Sequence, residues 1–369
     1  MSPKTHQTQS RKVISMGIEL ETYSIALPDY RICRDLQFPK RATVEKGEKF
    51  TKDVSVGSEY NSKVFKTIRE AFFLLKSSLR KYGEFPEDSD ANERYVIFPA
   101  GGWTDRFAGC HVHLATGTSS FKYEDAKKLS AYLHDHIPFL IVLGNNSPVW
   151  REKLTPYAST RLLRGSETYC RVIKRATLYK HHYREITYNQ GGKKKPPTLE
   201  VRVCDSSIPE YVAAILTVCL AVAIRWQKRR SPLNQSTHEN FLKARNSAFK
   251  MGTKAKLAWT NHWLSVPDYT DLFFRKYKEE LDQMDIPEEV LSVFKYLKKG
   301  WDQSEVIRKA VERCQRKHFP TWQRQFAKKY SLAIEELLDG NSYRQFAHRL
   351  GVKLPSIERT WLGKKDSRW

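Results

Sequence analysis

With 369 residues, the chain is too long for one minimal domain, so we expect two domains or one domain with an appendage. A hydrophobic fraction of 40% with 12% aromatic residues is typical of ordinary globular cores. Lysine and arginine outnumber aspartate and glutamate by 64 to 41, a net charge of +23. This excess favours a polyanionic partner, most often nucleic acid, although solubility or a basic nucleotide cleft explains it equally well.

Other sequence features exclude some classes of protein. The six cysteines form no Cys-x-x-Cys pair, which argues against a zinc site and for reduced, buried thiols in a cytosolic protein. Residues 1–12 are polar and basic, so we predict a disordered start and no signal peptide. The longest apolar run, Tyr211 to Trp226, is short for a membrane span and predicts a buried helix. We therefore expect a cytoplasmic protein that does not associate with membranes.

The predicted elements alternate between strands and helices up to residue 230 and are helical afterwards. Apolar alternation and helical spacing predict strands near residues 13–25, 50–60, 94–98, 110–114, 183–188 and 199–203, and helices over 63–81, 123–143 and after Pro209. From Ser231 onward the pattern is helical and basic. We divide the chain into a disordered start (1–12), a first domain (13–230), a helical extension (231–300) and a basic helical domain (301–369).

Three of the predicted strands carry polar side chains at alternate positions. A strand turns successive side chains to opposite faces, so each of these pairs shares one face while the other face is apolar. The pairs are Glu19 with Glu21, His111 with His113, and Glu200 with Arg202. If the three strands lie in one sheet, that sheet has an apolar back and a front of carboxylates, imidazoles and a guanidinium.

Each pair alone is typical of a solvated or structural sheet face, but the convergence of three pairs favours a functional site. Gly17 and Gly109 stand before two of them, and glycine allows a ligand to approach the backbone closely. Carboxylates with one or two imidazoles suit Mg²⁺ or Mn²⁺, which can bridge phosphate oxygens. Arg202 can bind phosphate or carboxylate through two parallel hydrogen bonds.

These stretches carry a family resemblance. Residues 16–21, 109–113 and 198–203 resemble the signature strands of the glutamine synthetase-like ligases, above all the amidoligases and the glutamate–cysteine ligase type of carboxylate–amine ligase. Residues 53–59 resemble the Asp-x-Ser…Gly-x-Glu segment of the amidoligases. Residues 145–148 and 157–161 resemble the Asn-Ser-Pro and Tyr-Ala-Ser stretches of the carboxylate–amine ligases. The resemblance covers about residues 13–230, with the motifs in family order.

The resemblance implies a fold and an activity. The fold is α+β, with a curved, mostly antiparallel sheet and helices on one face, followed by the basic all-helical C-terminal domain. The activity is that of an ATP-dependent carboxylate–amine ligase. ATP phosphorylates a carboxylate, and an amine attacks the acyl phosphate to give an amide or isopeptide bond. ATP and Mg²⁺ or Mn²⁺ are the implied cofactors, and a small carboxylate and an amine are the implied substrates.

The resemblance also implies two metal positions. Glu19, His111 and Glu200 would hold a metal at the nucleotide phosphates. Glu21 and Glu59 would hold a metal nearer the acceptor carboxylate and the amine.

Other residues have implied roles beside the metals. Arg202 would steady the transferred phosphoryl group, His113 would contact the nucleotide, and Arg161 would clamp a substrate carboxylate. With Glu59, the two arginines form the catalytic set. Two departures from the family pattern stand out: Val54 replaces an expected glycine, and the lysine-rich loop over residues 191–197 is unusual for the family.

The C-terminal segment 343–361 resembles a helix-turn-helix. Ala347 lies in the predicted first helix, Gly351 is placed for the turn, and Ile357 and Trp361 form an apolar stripe in the predicted second helix, which enters the DNA major groove in such motifs. Abundant lysine and arginine over residues 301–369 favour binding to DNA or RNA. A helical hairpin that docks an acidic protein, or that is purely structural, has the same pattern.

Two alternatives to a small-molecule ligase remain open at this stage. The first is a nucleic-acid-binding protein that uses the ligase fold as a scaffold. The second is a ligase that modifies a peptide or protein, with the basic tail binding an acidic partner. Ligase activity and nucleic-acid binding would be combined in a ligase that acts on a nucleic-acid-bound substrate. We expect truncation near Gly300 to spare the chemistry and remove nucleic-acid binding. The sequence does not specify the oligomeric state.

Overall fold

The computed structural model describes residues 13–34, 46–53, 55–84, 93–116, 121–180, 183–192 and 195–357. The predicted disorder of residues 1–12 and the end of the predicted tail domain, from residue 358, lie outside the described residues.

The central feature is an eight-stranded antiparallel sheet. Six strands follow the order β3-β4-β1-β6-β10-β9, and β2 and β5 pair with the second half of β1. The sheet strands are β1 (Ile14–Leu27), β2 (Arg31–Cys33), β3 (Lys49–Thr51), β4 (Ser58–Asn61), β5 (Arg94–Phe98), β6 (Gly109–Thr116), β9 (Ile186–Asn189) and β10 (Thr198–Asp205). Two small hairpins are formed by β7 (Val149–Trp150) with β8 (Lys153–Leu154) and by β11 (Lys256–Trp259) with β12 (His262–Ser265).

The long strand β1 organises the sheet. Over its first half, buried side chains alternate with half-buried ones, as expected of a strand with one face in the core. Met16, Ile18 and Leu20 point into the core and are at most 2% exposed, while Glu19 and Glu21 lie on the opposite face. The prediction of an apolar back and a charged front is therefore confirmed for this strand.

Within the described residues, twelve α-helices cover the sheet and extend beyond it. They are α1 (Ile68–Arg80), α2 (Tyr123–His134), α3 (Ile137–Gly144), α4 (Thr160–Gly165), α5 (Pro209–Gln227), α6 (His238–Met251), α7 (Val266–Lys276), α8 (Lys278–Leu281), α9 (Glu288–Lys298), α10 (Gln303–His318), α11 (Trp322–Leu338) and α12 (Tyr343–Arg349). The sequence prediction of an α+β fold with an antiparallel sheet and a helical C-terminal part is confirmed.

Helix α5 is the buried centre of the helical layer. It packs against α1, α2, α3 and α9, and its residues from Pro209 to Ala223 are buried. The helix is long and apolar enough to cross a membrane by length and composition, but 83% of its apolar window is buried inside the fold. The prediction of a buried helix here is confirmed. Its buried Glu210 pairs with Lys76 of α1 at 2.8 Å, which compensates for part of the cost of burying the charge.

The C-terminal helices belong to the same hydrophobic core as the sheet. Trp103 stacks on Phe326 of α11 with ring centroids 4.9 Å apart, and Phe98 of β5 meets Tyr330 of α11 edge-on at 4.5 Å. One core cluster runs across the predicted boundaries near residues 230 and 300. The boundaries stay a prediction, but truncation near Gly300 would expose this aromatic contact, so we no longer expect such a fragment to keep its chemistry.

Two local predictions from helical spacing were incomplete. The helix predicted over residues 123–143 is split into α2 and α3, because Pro138 starts the second helix and the Asp135 carboxylate between them binds Arg175. The segment after Ser231 is not purely helical, since β11 and β12 form a hairpin within it.

The predicted helix-turn-helix is not supported. Helix α12 begins at a capping box formed by Ser342 and Gln345, and Gly351 follows it with a φ of +83°, as predicted for a helix stop. Residues 352–357, where the second helix was predicted to begin, form no regular secondary structure, and Val352 and Leu354 are buried in the core. The rest of the predicted second helix, including Trp361, lies outside the described residues.

Several arginines of the predicted nucleic-acid surface make structural contacts instead. Arg308 donates to the carbonyl oxygens of Thr155 and Tyr157, and Arg313 donates to the carbonyl of Gly351 at 2.7 Å. Their guanidinium groups join the C-terminal helices to neighbouring backbone, which accounts for part of the basic excess in this segment without a nucleic acid.

Prediction: Phe326→Ala will lower the free energy of unfolding by about 3–5 kcal/mol, because it removes a ring that stacks on Trp103 in the core. Urea unfolding followed by tryptophan fluorescence measures the change. Phe319→Ala is the matched control, since that ring is 81% exposed, and it should change stability by less than about 0.5 kcal/mol. Equal losses in the two variants would show that α11 does not share the core of the sheet.

Candidate active site

The predicted polar pairs meet on one face because of the strand register. Glu19 of β1 lies directly opposite His111 of β6, and Glu21 lies opposite Glu59 of β4. On the other side of β6, His113 lies opposite Glu200 of β10. Directly opposed residues on antiparallel strands share a face at short distance, so these side chains converge at the front of the sheet.

The first ligand cluster consists of Glu19, His113 and Glu200. One ligand atom from each of these residues lies within 4.8 Å of the others. The Nε2 atom of His113 lies 3.5 Å from Oε2 of Glu19. This cluster differs in its histidine from the predicted set, which contained His111. His111 lies between the carboxylates, with Nδ1 3.7 Å from Glu19 and 3.6 Å from Glu200 and Nε2 3.7 Å from Glu21.

The second ligand cluster consists of Glu21, Asp53 and Glu59, whose carboxylate oxygens also lie within 4.8 Å of one another. Glu21 and Glu59 were predicted at this position, but Asp53 was not assigned a ligand role. The signal was present in the Asp-x-Ser…Gly-x-Glu segment. A tight turn orients Asp53: its amide donates to the carbonyl of Gly57, which has a φ of +91°, and its carboxylate accepts from the amide of Val56 at 3.0 Å.

Both clusters have the donor set that a hard divalent cation prefers. They present carboxylate oxygens and one imidazole, and no thiolate takes part. The Nε2 atoms of His111 and His113 are buried and lack a hydrogen-bond partner within the described part of the chain. Buried imidazole nitrogens of this kind are normally satisfied, so a ligand such as a metal or a nucleotide would complete them. The residues therefore fit the implied Mg²⁺ or Mn²⁺.

Burial and charge act differently on the carboxylates. For Glu19, burial raises the pKa, but contacts with His111 and His113 outweigh it and hold the pKa well below its usual range. Burial and the nearby charge of Asp53 raise the pKa of Glu21 to about 7. Burial and the charges of Glu19 and Glu21 raise the pKa of Glu59 to about 7. The ionised carboxylates of the second cluster are therefore the ones that a bound cation would stabilise most.

Arg202 borders the first cluster as predicted. Its guanidinium contacts the Glu200 carboxylate and lies 3.4 Å from Nδ1 of His111. A β-bulge between Val201 and Cys204 shifts the register of β10 against β6 at this residue. Burial raises the pKa of Glu200, but Arg202 and the two histidines outweigh it, so the net pKa is lowered and the carboxylate stays ionised.

Arg161 is buried beside Gly109 and does not form an open clamp. Its side chain is 3% exposed, donates to the carbonyl of Arg202 at 3.2 Å and lies 3.8 Å from the Asp205 carboxylate. A side chain at Gly109 would meet the guanidinium at 2.4 Å, so a glycine is required there for Arg161 to pass. The clamp role stays a prediction. The described contacts place Arg161 as a buried positive charge that lowers the pKa of Glu21 against the larger effect of burial.

The Asn-Ser-Pro and Tyr-Ala-Ser stretches hold the end of β10 in place through hydrogen bonds to Asp205. The Asp205 carboxylate, at the end of β10, accepts hydrogen bonds from the Asn146 amide at 2.9 Å and from the hydroxyls of Ser147 and Ser159 at 2.6 and 3.0 Å. Sequence reasoning missed Asp205, which follows the signature strand directly. The two stretches thus fix the end of β10 and the start of α4, which carries Arg161.

Prediction: Glu59→Gln will stabilise the metal-free protein increasingly as pH rises, by about 1–3 kcal/mol at a pH of about 8. The carboxyl has a usual pKa of 4.5 and a folded pKa of about 7. Between these values the folded state binds more protons than the unfolded state, so the wild type loses stability from this group as pH rises. Urea unfolding of both proteins in a chelator measures the difference across this range.

The exposed Glu124 of α2 provides the control, and the pH dependence of the Glu59→Gln difference is compared with that of Glu124→Gln. A Glu59→Gln difference that is the same at about pH 5 and about pH 8 would contradict the buried-carboxylate assignment.

Solved structures share this architecture at low sequence identity. The ligase PafA in complex with the prokaryotic ubiquitin-like protein Pup matches with a TM-score of 0.56 at 12% identity, over 93% of this chain and 80% of that chain. Glutamate–cysteine ligase from Francisella tularensis, in complex with AMP, matches with a TM-score of 0.51 at 13% identity, over 93% and 92%.

A bifunctional glutathione synthetase from Pasteurella multocida matches with a TM-score of 0.55 at 13% identity, over 92% of this chain and 55% of that chain. No protein-family model and no curated protein sequence matches the chain. Likeness at such identity concerns the fold. The protein thus has the fold of these ligase structures, which is the fold that its signature strands predicted.

Proposed function

We propose that this protein is an ATP-dependent carboxylate–amine ligase that forms an amide or isopeptide bond through an acyl phosphate. The observation that carries the proposal is the pair of adjacent ligand clusters on one sheet face, linked by His111 and bordered by Arg202. Two neighbouring cation sites beside a guanidinium suit the transfer of a phosphoryl group between two oxygens.

The residues divide into roles by position. Glu19, His113 and Glu200 would hold Mg²⁺ or Mn²⁺ at the nucleotide phosphates, with His111 as a shared neighbour, and Glu21, Asp53 and Glu59 would hold a second ion near the acceptor carboxylate. Bound ions would supply neutralisation of the charge that develops on phosphate oxygens.

The arginines complete this arrangement. Arg202 presents its fork of N–H groups at the edge of the first cluster, where it would stabilise the transferring phosphoryl group. The buried charge of Arg161 favours the ionised form of Glu21, the form that would bind a cation, and opposes the larger effect of burial on the pKa of that carboxyl.

The acceptor can belong to either of two size classes. Proteins that share this fold include a glutamate–cysteine ligase and a ligase of the protein Pup. We propose a small carboxylate with an amine as the first substrates to test and a peptide or protein as the next. DNA and RNA are tested only as added components, because the described residues do not support the predicted second helix of the helix-turn-helix.

The test incubates the full chain with labelled ATP and Mg²⁺ and with a panel of amino acids, polyamines, acidic peptides and DNA. ADP and phosphate that appear only with a particular carboxylate and amine support the proposal and identify the substrates. Release of AMP would indicate that the activated intermediate is an acyl adenylate and not an acyl phosphate. ATP that stays intact with every addition, while the protein binds DNA, would favour the nucleic-acid-binding alternative.

Prediction: Glu200→Ala will reduce ATP turnover at least about 100-fold and leave the fold intact, because the first cluster loses a carboxylate that is 1% exposed. Phosphate release measures turnover, and circular dichroism with urea unfolding checks the fold. Glu124→Ala, which removes an exposed carboxylate from α2, should retain wild-type turnover. If Glu200→Ala turns over ATP as fast as the wild type, Glu200 is not a metal ligand.

A further inference from the structure

The lysine-rich loop between β9 and β10 lies against the first ligand cluster. The ammonium of Lys195 is 3.2 Å from Oε1 of Glu19 and 3.5 Å from Oδ1 of Asn61. Glu19 is also one of the three ligands of the first cluster. A lysine therefore contacts the same carboxylate that would bind the cation at the nucleotide phosphates.

One hydrogen bond ties the start of the loop to the first cluster, and another shapes the turn that carries Lys195. At its start, the side chain of Asn189 donates to Glu200 at 3.5 Å and accepts from the amide of Gly191 at 3.0 Å. At its end, the amide of Gly192 donates to the carbonyl of Lys195 at 2.8 Å and closes a turn. The described residues of the loop thus contact two carboxylates of the cluster, Glu200 through Asn189 and Glu19 through Lys195.

Gly191 makes this turn possible. It has a φ of +70°, and a side chain there would meet the carbonyl oxygen of Lys195 at 2.3 Å. A residue other than glycine would be strained by its backbone and would also displace Lys195. The backbone is therefore built to present this lysine to Glu19.

Lys195 is held by charge and not by packing. Its side chain is 61% exposed, so the four-carbon stem is free to swing while the ammonium remains near the site. An ammonium and a divalent cation cannot both sit beside Glu19 without strong repulsion. A nucleotide phosphate that arrives with the cation would offer the displaced ammonium a new anionic partner.

We propose that Lys195 is a mobile counter-ion of the nucleotide site. It neutralises Glu19 when metal and nucleotide are absent, leaves when the metal binds, and then contacts the phosphates of the incoming nucleotide. This inference deepens the proposed function and rests on it for the identity of the ligand. Lys195 thereby makes metal binding depend on nucleotide binding.

The test uses Lys195→Met in the full chain and measures binding, not turnover. Without nucleotide, the variant should bind Mn²⁺ about three- to tenfold more tightly than the wild type, because a competing cation is gone. With Mg²⁺ present, it should bind labelled ATP about tenfold more weakly, because a phosphate contact is lost. Electron paramagnetic resonance measures free Mn²⁺, and equilibrium dialysis measures bound ATP.

Two further variants and a control separate this role from a structural one. Lys195→Arg keeps the charge and should bind both ligands nearly as the wild type does. Gly191→Ala should show the same two changes as Lys195→Met, tighter Mn²⁺ binding and weaker ATP binding, because a side chain at residue 191 displaces Lys195. Lys256→Met removes an exposed lysine from β11, in another part of the fold, and should change neither affinity.

The outcomes distinguish this inference from the proposed function. If the wild type binds Mn²⁺ and ATP but Lys195→Met changes neither affinity, or weakens both, Lys195 is an ordinary surface ion pair and the inference fails alone. If the wild type binds neither Mn²⁺ nor ATP, the proposed function fails and takes this inference with it.

Discussion

The structure depends on the crowding of carboxylates on one face of a sheet whose other face is buried. Glu19, Glu21, Glu59 and Glu200 converge there because their strands are in register, and each is at least half-buried. Such a group cannot stay ionised without compensating charge, and burial raises the pKa of two members to about 7. Histidines, arginines and a loop lysine supply part of the compensation, and the geometry leaves a place for cations.

The rest of the fold keeps this face rigid. The apolar side of β1 and its neighbours packs beneath it, and the aromatic contacts of Trp103 with Phe326 join the C-terminal helices to the same core. The Asp205 network fixes the end of β10 beside Arg161. Preorganised charge of this kind is what a site for phosphoryl transfer requires, because it avoids reorganisation during the reaction. The helices after residue 300 thus support the site.

Sequence reasoning succeeded where local periodicity decides the outcome. Alternation in β1, β6 and β10 predicted which side chains share a face, and the fold class followed from the signature strands. It failed where packing decides. The helix predicted over residues 123–143 is interrupted at Asp135, whose carboxylate accepts a hydrogen bond from Arg175. The predicted helix-turn-helix is not supported: residues 352–357, where its second helix would begin, form no regular secondary structure and bury Val352 and Leu354. Periodicity does not reveal what covers an apolar residue.

The sequence by itself determined the chemistry of the front face: its carboxylates, its imidazoles and Arg202 follow from a strand's period of two, which is a local property. Only the tertiary structure decided how these groups are partnered. Strand register places His113 opposite Glu200 in the first cluster, and a turn brings Asp53 to the second. The burial of Arg161 and the contact of Lys195 with Glu19 join residues far apart in the chain. Such distances depend on how strands and loops pack, and no local pattern encodes them.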